Sequence, residues 1–317
     1  MEQKYVAGID IGGQTAKIGI VDSWGRILSK TVIRTDIYGN DEIAFVADLA
    51  KAVNACIRDA GADAQVKGLG VGAPNGNYYT GEISFAANLS WASGKAVKFS
   101  ELLESQTGLP VVLTNDANAA AMGEMIYGAA KGMKNFIMIT LGTGVGSGIV
   151  VDGRVLYGHD GYAGELGHVI VERGGRKCGC GRKGCLETYC SATGVVRTAK
   201  EWLERGDESI LKLCEDITAK EVYDAAKAND EMALRIFEYT GAILGRSFAD
   251  FIAFSAPEAI ILFGGLARSR EFLYEPMYKA MNENVLKIWK NKVKILFSQL
   301  NESDAAILGA SALAWEL

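Results

Sequence analysis

One of the chain's two histidines stands ahead of half of its six cysteines: His168, then Cys178, Cys180 and Cys185. Three thiolates and one imidazole complete a four-coordinate structural zinc set with no open position. Glycines at 174, 175, 179, 181 and 184 allow the tight loop that four ligands at bonding distance require. The competing reading is a loop of reduced, unpaired cysteines. Zinc at this set orders a loop rather than activating water. Cys190 and Cys214 fall outside it and read as core residues.

Two glycine turns offer a second kind of chemistry. Gly12-Gly13-Gln14-Thr15 and Gly142-Thr143-Gly144 each follow an apolar run. Glycine lets backbone N–H groups approach a ligand, and several pointing inward form an anion nest. A dinucleotide fingerprint does not fit, because Ser147 stands where the third glycine belongs and a strand-like segment follows. No glycine run ends in Gly-Lys-Ser/Thr, so a P-loop is absent. Plain hairpin turns remain the alternative. Asp10 ends the first run, where it holds Mg²⁺ directly or through water, or caps a turn.

A third set is polar. Asn88, Asn115-Asp116, Glu165 with His168, and Glu187 interrupt stretches of Gly, Ala and apolar residues. Amides and carboxylates each bond two adjacent hydroxyls, which suits a sugar. Each alone also serves as a cap or turn residue. Asp116 ends a strand and opens a helix, whose amides hold its carboxylate ionised and oriented, without a raised pKa.

These residues need elements to position them. Strands at 5–11 and 17–21 flank the first turn, and further strands are expected at 66–73 and 111–113. A helix from 42 to 60 carries Ile43, Val46, Ala50, Val53 and Ile57 at helical spacing, with Asn40 or Asp41 as cap and Gly61 as stop. Helices are also expected at 117–130, 232–254 (core positions Ile236, Ile243 and Phe251) and 303–317, the last capped by Ser303. The pattern strand, glycine turn, strand, tight turn, Arg-apolar-Leu occurs at 9–28 and again at 139–156. A glycine-ended strand follows in each half, at Leu69 to Gly72 and at Ile261 to Gly265. That points to a duplicated α/β domain around a cleft.

With 317 residues, 49% hydrophobic and 22% charged, the chain has room for two cores. Lys and Arg total 33 against 38 Asp and Glu, with no basic arm, so no nucleic-acid partner is expected. The longest apolar run, 136–151, is short for a membrane span and broken by glycines. No leader is expected before the first strand, since Met1-Glu2-Gln3-Lys4 carries no basic n-region or cleavage site. Sparse, clustered cysteine points to a reducing compartment, the cytoplasm.

Taken together, these residues resemble the ROK family (repressors, open reading frames and kinases) of the actin/hexokinase/heat-shock ATPase superfamily, over almost the whole chain. The most specific part is Gly164-Glu165-Leu166-Gly167-His168 with Cys178-Gly179-Cys180-Gly181-Arg182-Lys183-Gly184-Cys185-Leu186-Glu187. The resemblance implies duplicated actin-like (ribonuclease-H-like) domains flanking a central cleft. They would span 1–117, with the closing helix 303–317 packed back on it, and 118–302, which carries the zinc loop. It implies ATP contacts at Asp10, Gly12, Gly13, Gln14, Thr15 and Lys17, at Gly142, Thr143, Gly144 and Gly146, and at Gly264 and Gly265. By the same matching, Asp116 is the catalytic base and Asn88, Asn115, Asp116, Glu165, His168 and Glu187 contact sugar hydroxyls. His168 also joins Cys178, Cys180 and Cys185 on zinc, and Asp10 positions Mg²⁺. The sequence departs from the family pattern at Gln14, usually threonine, and at Asn75, often glycine. Gln14 still offers an amide to phosphate.

The implied function is an ATP-dependent hexose kinase acting on the 6-hydroxyl, with glucose first and N-acetylmannosamine, N-acetylglucosamine or other hexoses next. A sugar-responsive transcriptional regulator and a non-catalytic sugar-binding protein are the alternatives. Regulators of the family carry a helix-turn-helix before the first strand, and here four residues precede Tyr5. A homodimer or homotetramer is implied.

Overall fold

The computed structural model describes residues 4–61 and 65–317, and for residues 302 and 303 the backbone only. The chain opens with β1 (Tyr5–Ile11), β2 (Thr15–Asp22) and β3 (Ile27–Arg34), an antiparallel meander. Thr15, expected in the turn, already belongs to β2, because Gly12 N–H closes on Thr15 O at 2.9 Å and leaves only three residues outside the ladder. α1 (Glu42–Asp59) returns the chain to β4 (Val66–Gly72), parallel to β1. Asp41, not Asn40, caps α1, its Oδ1 accepting from Ala44 N–H at 2.9 Å. Ile43 is 55% exposed; Phe45 takes the core place and stacks on Trp91 at 4.6 Å between ring centroids. Burying such an aromatic contributes about 1.5–3 kcal/mol.

A small ribbon of β5 (Ile83–Ser84) and β6 (Ala96–Val97) precedes α2 (Phe99–Thr107) and β7 (Val111–Thr114), which lies parallel to β4. α3 (Asp116–Tyr127) leads to a second sheet made of β8 (Phe136–Leu141), β9 (Val145–Val151) and β10 (Arg154–Val155). The apolar run 136–151 is thus a hairpin. Among the described residues, no helix is long and apolar enough to cross a membrane. After α4 (Glu187–Cys190), α5 (Ala192–Glu204), α6 (Ala219–Lys227) and α7 (Glu231–Ser255) come β11 (Ala259–Phe263), α8 (Arg270–Asn284), β12 (Lys294–Phe297) and α9 (Glu302–Ala314). Ile236, Ile243 and Phe251 of α7 are buried, as their spacing predicts. The side chain of Ser303, read as the cap of the last helix, lies outside the described residues.

The sheets run β3-β2-β1-β4-β7 and β10-β9-β8-β11-β12. Each has three antiparallel strands followed by two parallel ones, in the same chain order. The duplication read from the repeated glycine turns is therefore a duplication of topology. α9 lies on β1 and β4 of the first sheet, α3 on β8 and β9 of the second, and the two helices pack on each other. Small residues permit this. A Cβ on Gly70 would stand 1.9 Å from Ala310 O, and one on Gly123 2.8 Å from Gly309 Cα. A second bridge between the halves is the Tyr78–Tyr157 stack, with centroids 4.0 Å apart.

Candidate active site

Two carboxylates meet where the halves join. Asp10, next to last in β1, sits in register with Lys17 of β2 and Gly72 of β4. Asp116 is the first residue of α3, and Asn115 before it is the cap, Oδ1 accepting from Asn118 N–H at 2.7 Å. Both carboxylates line one cavity of about 220 Å³ with Thr140 of β8 and the small residues Ala117, Ala119 and Ala120 of α3. Burial pushes the Asp10 carboxyl up to about 6; Asp116 adds to the rise and Lys17 opposes it. Burial likewise raises Asp116, although Ala117 N–H donates to its Oδ1 at 2.9 Å. This corrects the expectation of an ordinary carboxylate. Asp116 is exposed in part, but protein packed around its carboxylate desolvates it, and that desolvation outweighs the helix amides.

The Asp10 shift has a signed consequence. A carboxyl whose folded pKa exceeds its unfolded value is costly to ionise in the fold. That cost is absent below about pH 4, grows between about 4 and 6, and is full above 6. Asp10→Asn is therefore expected to be about 1–3 kcal/mol more stable than the parent protein at pH 7 and equal to it near pH 4. Denaturant titrations at both pH values, without magnesium or nucleotide, check this.

In each glycine turn the first glycine's N–H closes the loop: Gly12 N–H to Thr15 O at 2.9 Å, and Gly142 N–H to Gly144 O at 3.1 Å. Their glycines do different jobs. Gly13 lies against the chain itself, since a Cβ there would stand 2.9 Å from Asn88 O. Gly146 lets β9 pass close to Ala117 and Thr140, so its smallness serves helix packing. Gly142 and Gly265 face open space. Gly264 turns at φ +101° beneath Leu141 O, which brings the end of β11 under the second turn. A cavity of about 560 Å³ starts there, lined by Gly142, Thr143, Gly265, Tyr223 and Arg268. Gln14 is exposed at the tip of the first turn.

The polar residues begin against these turns. Asn88 is exposed beside Gly13, and Asn75 adopts φ +54°, the left-handed conformation its side chain tolerates, with Nδ2 donating to Ser84 O at 3.0 Å. Burial raises the Glu165 carboxyl; His168 opposes that rise, and Asp116 and Glu187 add to it. These four side chains therefore share one electrostatic neighbourhood. Ser147 of β9, 3% exposed, holds the segment in place: its Oγ donates to Gly164 O and accepts from Leu166 N–H at 3.1 Å. In the sequence Ser147 stands only where a third glycine of a dinucleotide fingerprint would fall. A hydroxyl inside an otherwise apolar strand was the available signal, as it was for Thr140, whose Oγ1 accepts from Gly146 N–H at 3.1 Å.

The Cys/His set assembles as well. The donor atoms of His168, Cys178, Cys180 and Cys185 all lie within 4.8 Å of one another. Cys178 Sγ is 3.6 Å from His168 Nδ1, and Cys180 Sγ is 3.7 Å from Cys185 Sγ. Tetrahedral zinc with its usual bond lengths needs edges of ~3.5–3.8 Å, which these two distances match, and three thiols with one imidazole are a donor set that ion takes. Nδ1 faces the cluster, which leaves Nε2 on the far side of the ring. Glu187 bridges outward: Oε1 accepts from Cys178 Sγ at 3.0 Å, and Oε2 would stand 2.7 Å from a Cβ on Gly144. Cys190 is fully buried and Cys214 partly so, as read.

A model of the ROK family matches residues 6–316. The chain belongs to the ROK family. This ROK chain is 35% identical over 320 residues to a glucokinase of Halalkalibacterium halodurans, covering 99% of this chain and 96% of that one. It resembles the solved structure of a ROK family glucokinase from Streptomyces griseus in complex with glucose and AMPPNP. There the TM-score is 0.78, the identity 32%, and the coverage 99% of this chain and 100% of the other. It also resembles a ROK family transcriptional regulator, a homolog of the E. coli MLC protein, with a TM-score of 0.87 and 26% identity over 98% of this chain and 78% of the regulator.

Proposed function

We propose that this ROK chain is an ATP-dependent hexose kinase that transfers the γ-phosphate of ATP to the 6-hydroxyl of a hexose, glucose first. The observation that carries this reading is the position of Asp116. It lines one cavity with Asp10, its neighbour Ala117 packs against Gly146 of the second turn, and its charge acts on Glu165 together with those of His168 and Glu187. The relatives support it, since glucokinases align with the chain from end to end.

In this reading the adenosine of ATP occupies the cavity beside Gly264 and Gly265. Its phosphates extend past Gly142, Thr143, Gly144 and Gly146 toward Gly12, Gly13, Gln14, Thr15 and Lys17. The hexose lies against Asn88, Asn115, Glu165, His168 and Glu187, with its 6-hydroxyl on Asp116. Asp116 orients that hydroxyl and accepts its proton late in a loose transition state. Mg²⁺ beside Asp10, when bound, neutralises phosphate charge. His168, Cys178, Cys180 and Cys185 hold structural zinc, and the ordered loop keeps His168 Nε2 and Glu187 at the sugar.

We place the halves at 1–117 with 303–317 and at 118–302, in a cytoplasmic homodimer or homotetramer. N-acetylhexosamines are the next substrates to consider. The likeness to a regulator favours a sugar-responsive non-enzyme as the second reading. A coupled ADP-release assay over a hexose panel with Mg-ATP tests the choice: turnover highest with glucose supports it, and none with any hexose favours the regulator.

One substitution isolates the phosphate turn. Because Gly142 faces open space, Gly142→Ala leaves the fold and Tm unchanged. It fills ligand volume and should raise the KM for ATP roughly tenfold, the loss of about one good contact. Gly13→Val is a poorer probe, since its side chain strikes Asn88 before any ligand.

A further inference from the structure

The second glycine turn is gripped by the start of α5. Ala192 N–H donates to Gly142 O at 2.9 Å, and Thr193 Oγ1 donates to Thr143 O at 2.8 Å. In a trans peptide the carbonyl of one residue and the N–H of the next point in opposite directions. Holding Gly142 C=O toward α5 therefore turns Thr143 N–H away from it. Holding Thr143 C=O does the same to Gly144 N–H. Neither amide donates to another backbone group among the described residues. The grip is itself braced. Ser191 caps α5 by accepting from Gly194 N–H at 3.0 Å, donates to Glu187 O at 2.7 Å, and lies 2.9 Å from Thr193 Oγ1.

We propose that Thr193 is a positioning residue for the nucleotide phosphates: its hydroxyl fixes the Thr143–Gly144 peptide so that the turn's amides face the phosphate chain. This rests on the kinase reading of the second turn. A preoriented pair of N–H donors loses less ordering entropy on binding than a free turn does, so the effect appears as affinity. It is confined to phosphate. Adenosine touches the cavity wall at Gly142 and Thr143 but brings no phosphate to the Thr143 and Gly144 amides, and the side chains assigned to the sugar are not bonded by the Thr193 hydroxyl.

The test is titration calorimetry of ATP, ADP and adenosine on the parent protein, Thr193→Val and Thr193→Ser, with glucose binding as a control. Thr193→Val should weaken ATP and ADP about tenfold, leave adenosine and glucose unchanged, and raise the KM for ATP more than it lowers kcat. Thr193→Ser, which keeps the hydroxyl, should restore parent affinity within about twofold. Unchanged ATP affinity in Thr193→Val overturns the assignment. Equal losses of ATP and adenosine also overturn it, because they mark a purely structural role. If Thr193→Val does not fold, Thr193→Ala replaces it under the same criteria. Failure of the parent protein to bind ATP or ADP overturns the kinase reading itself, and Thr193 with it.

Discussion

Asp116→Asn should lower kcat by ~10²–10⁴ while changing sugar affinity much less. A sugar hydroxyl is a poor nucleophile at neutral pH, and its proton must leave as the new O–P bond forms. Asparagine keeps the shape of the side chain and a hydrogen bond to the hydroxyl but has no site for that proton. Burial raises the Asp116 carboxyl, so it is a stronger base than a surface aspartate, though still held by Ala117 N–H. The sign of the pH effect follows. The parent rate rises with pH as Asp116 loses its proton, and in Asp116→Asn that limb is missing. Calorimetry of sugar binding beside steady-state kinetics on the variant measures both parts. A near-normal kcat would make Asp116 a structural residue of the α3 start.

Cys180→Ser should abolish stoichiometric zinc, lower Tm by ~5–10 °C and raise the sugar KM several-fold. Its thiol belongs to a set whose donors all lie within 4.8 Å of one another, and serine is a poor zinc ligand. The same loop delivers His168 to the cluster through Nδ1 and runs on into Glu187, whose carboxylate touches Cys178. Loosening it therefore reaches the sugar flank as well as the fold. Elemental analysis of protein purified without added metal, before and after the substitution, checks the prediction. Parent protein that is metal-free and fully active would contradict it.

What could be read in advance follows the range of the interactions. The gathering of His168, Cys178, Cys180 and Cys185 was legible because all four fall between 168 and 185, on one glycine-rich loop. The duplicated sheets were legible because each half repeats its own turn chemistry. Properties that arise only when distant segments meet were not. The raised carboxyl of Asp116 comes from protein closing around it and cannot be seen in an Asn-Asp pair at a strand end. The tight contact of Gly13 with Asn88 joins residues 75 positions apart, so Gly13 read as a ligand-facing glycine when it is also a packing one. Ile43 fitted the helical period of α1, yet period does not say which first-turn residue reaches the core, and Phe45 does. Ser147 was masked by a glycine pattern it failed to complete, although its hydroxyl fixes the Glu165 segment.

Phosphoryl transfer to a hexose at Asp116 is visible in the ³¹P NMR spectrum of the protein with glucose and Mg-ATP. A phosphomonoester signal at the 6-position of glucose should grow as the γ-phosphate signal of ATP disappears, with the parent protein and not with Asp116→Asn. Glucose that binds while the ATP signals stay unchanged would contradict the kinase account and leave a sugar-binding regulator on the same fold.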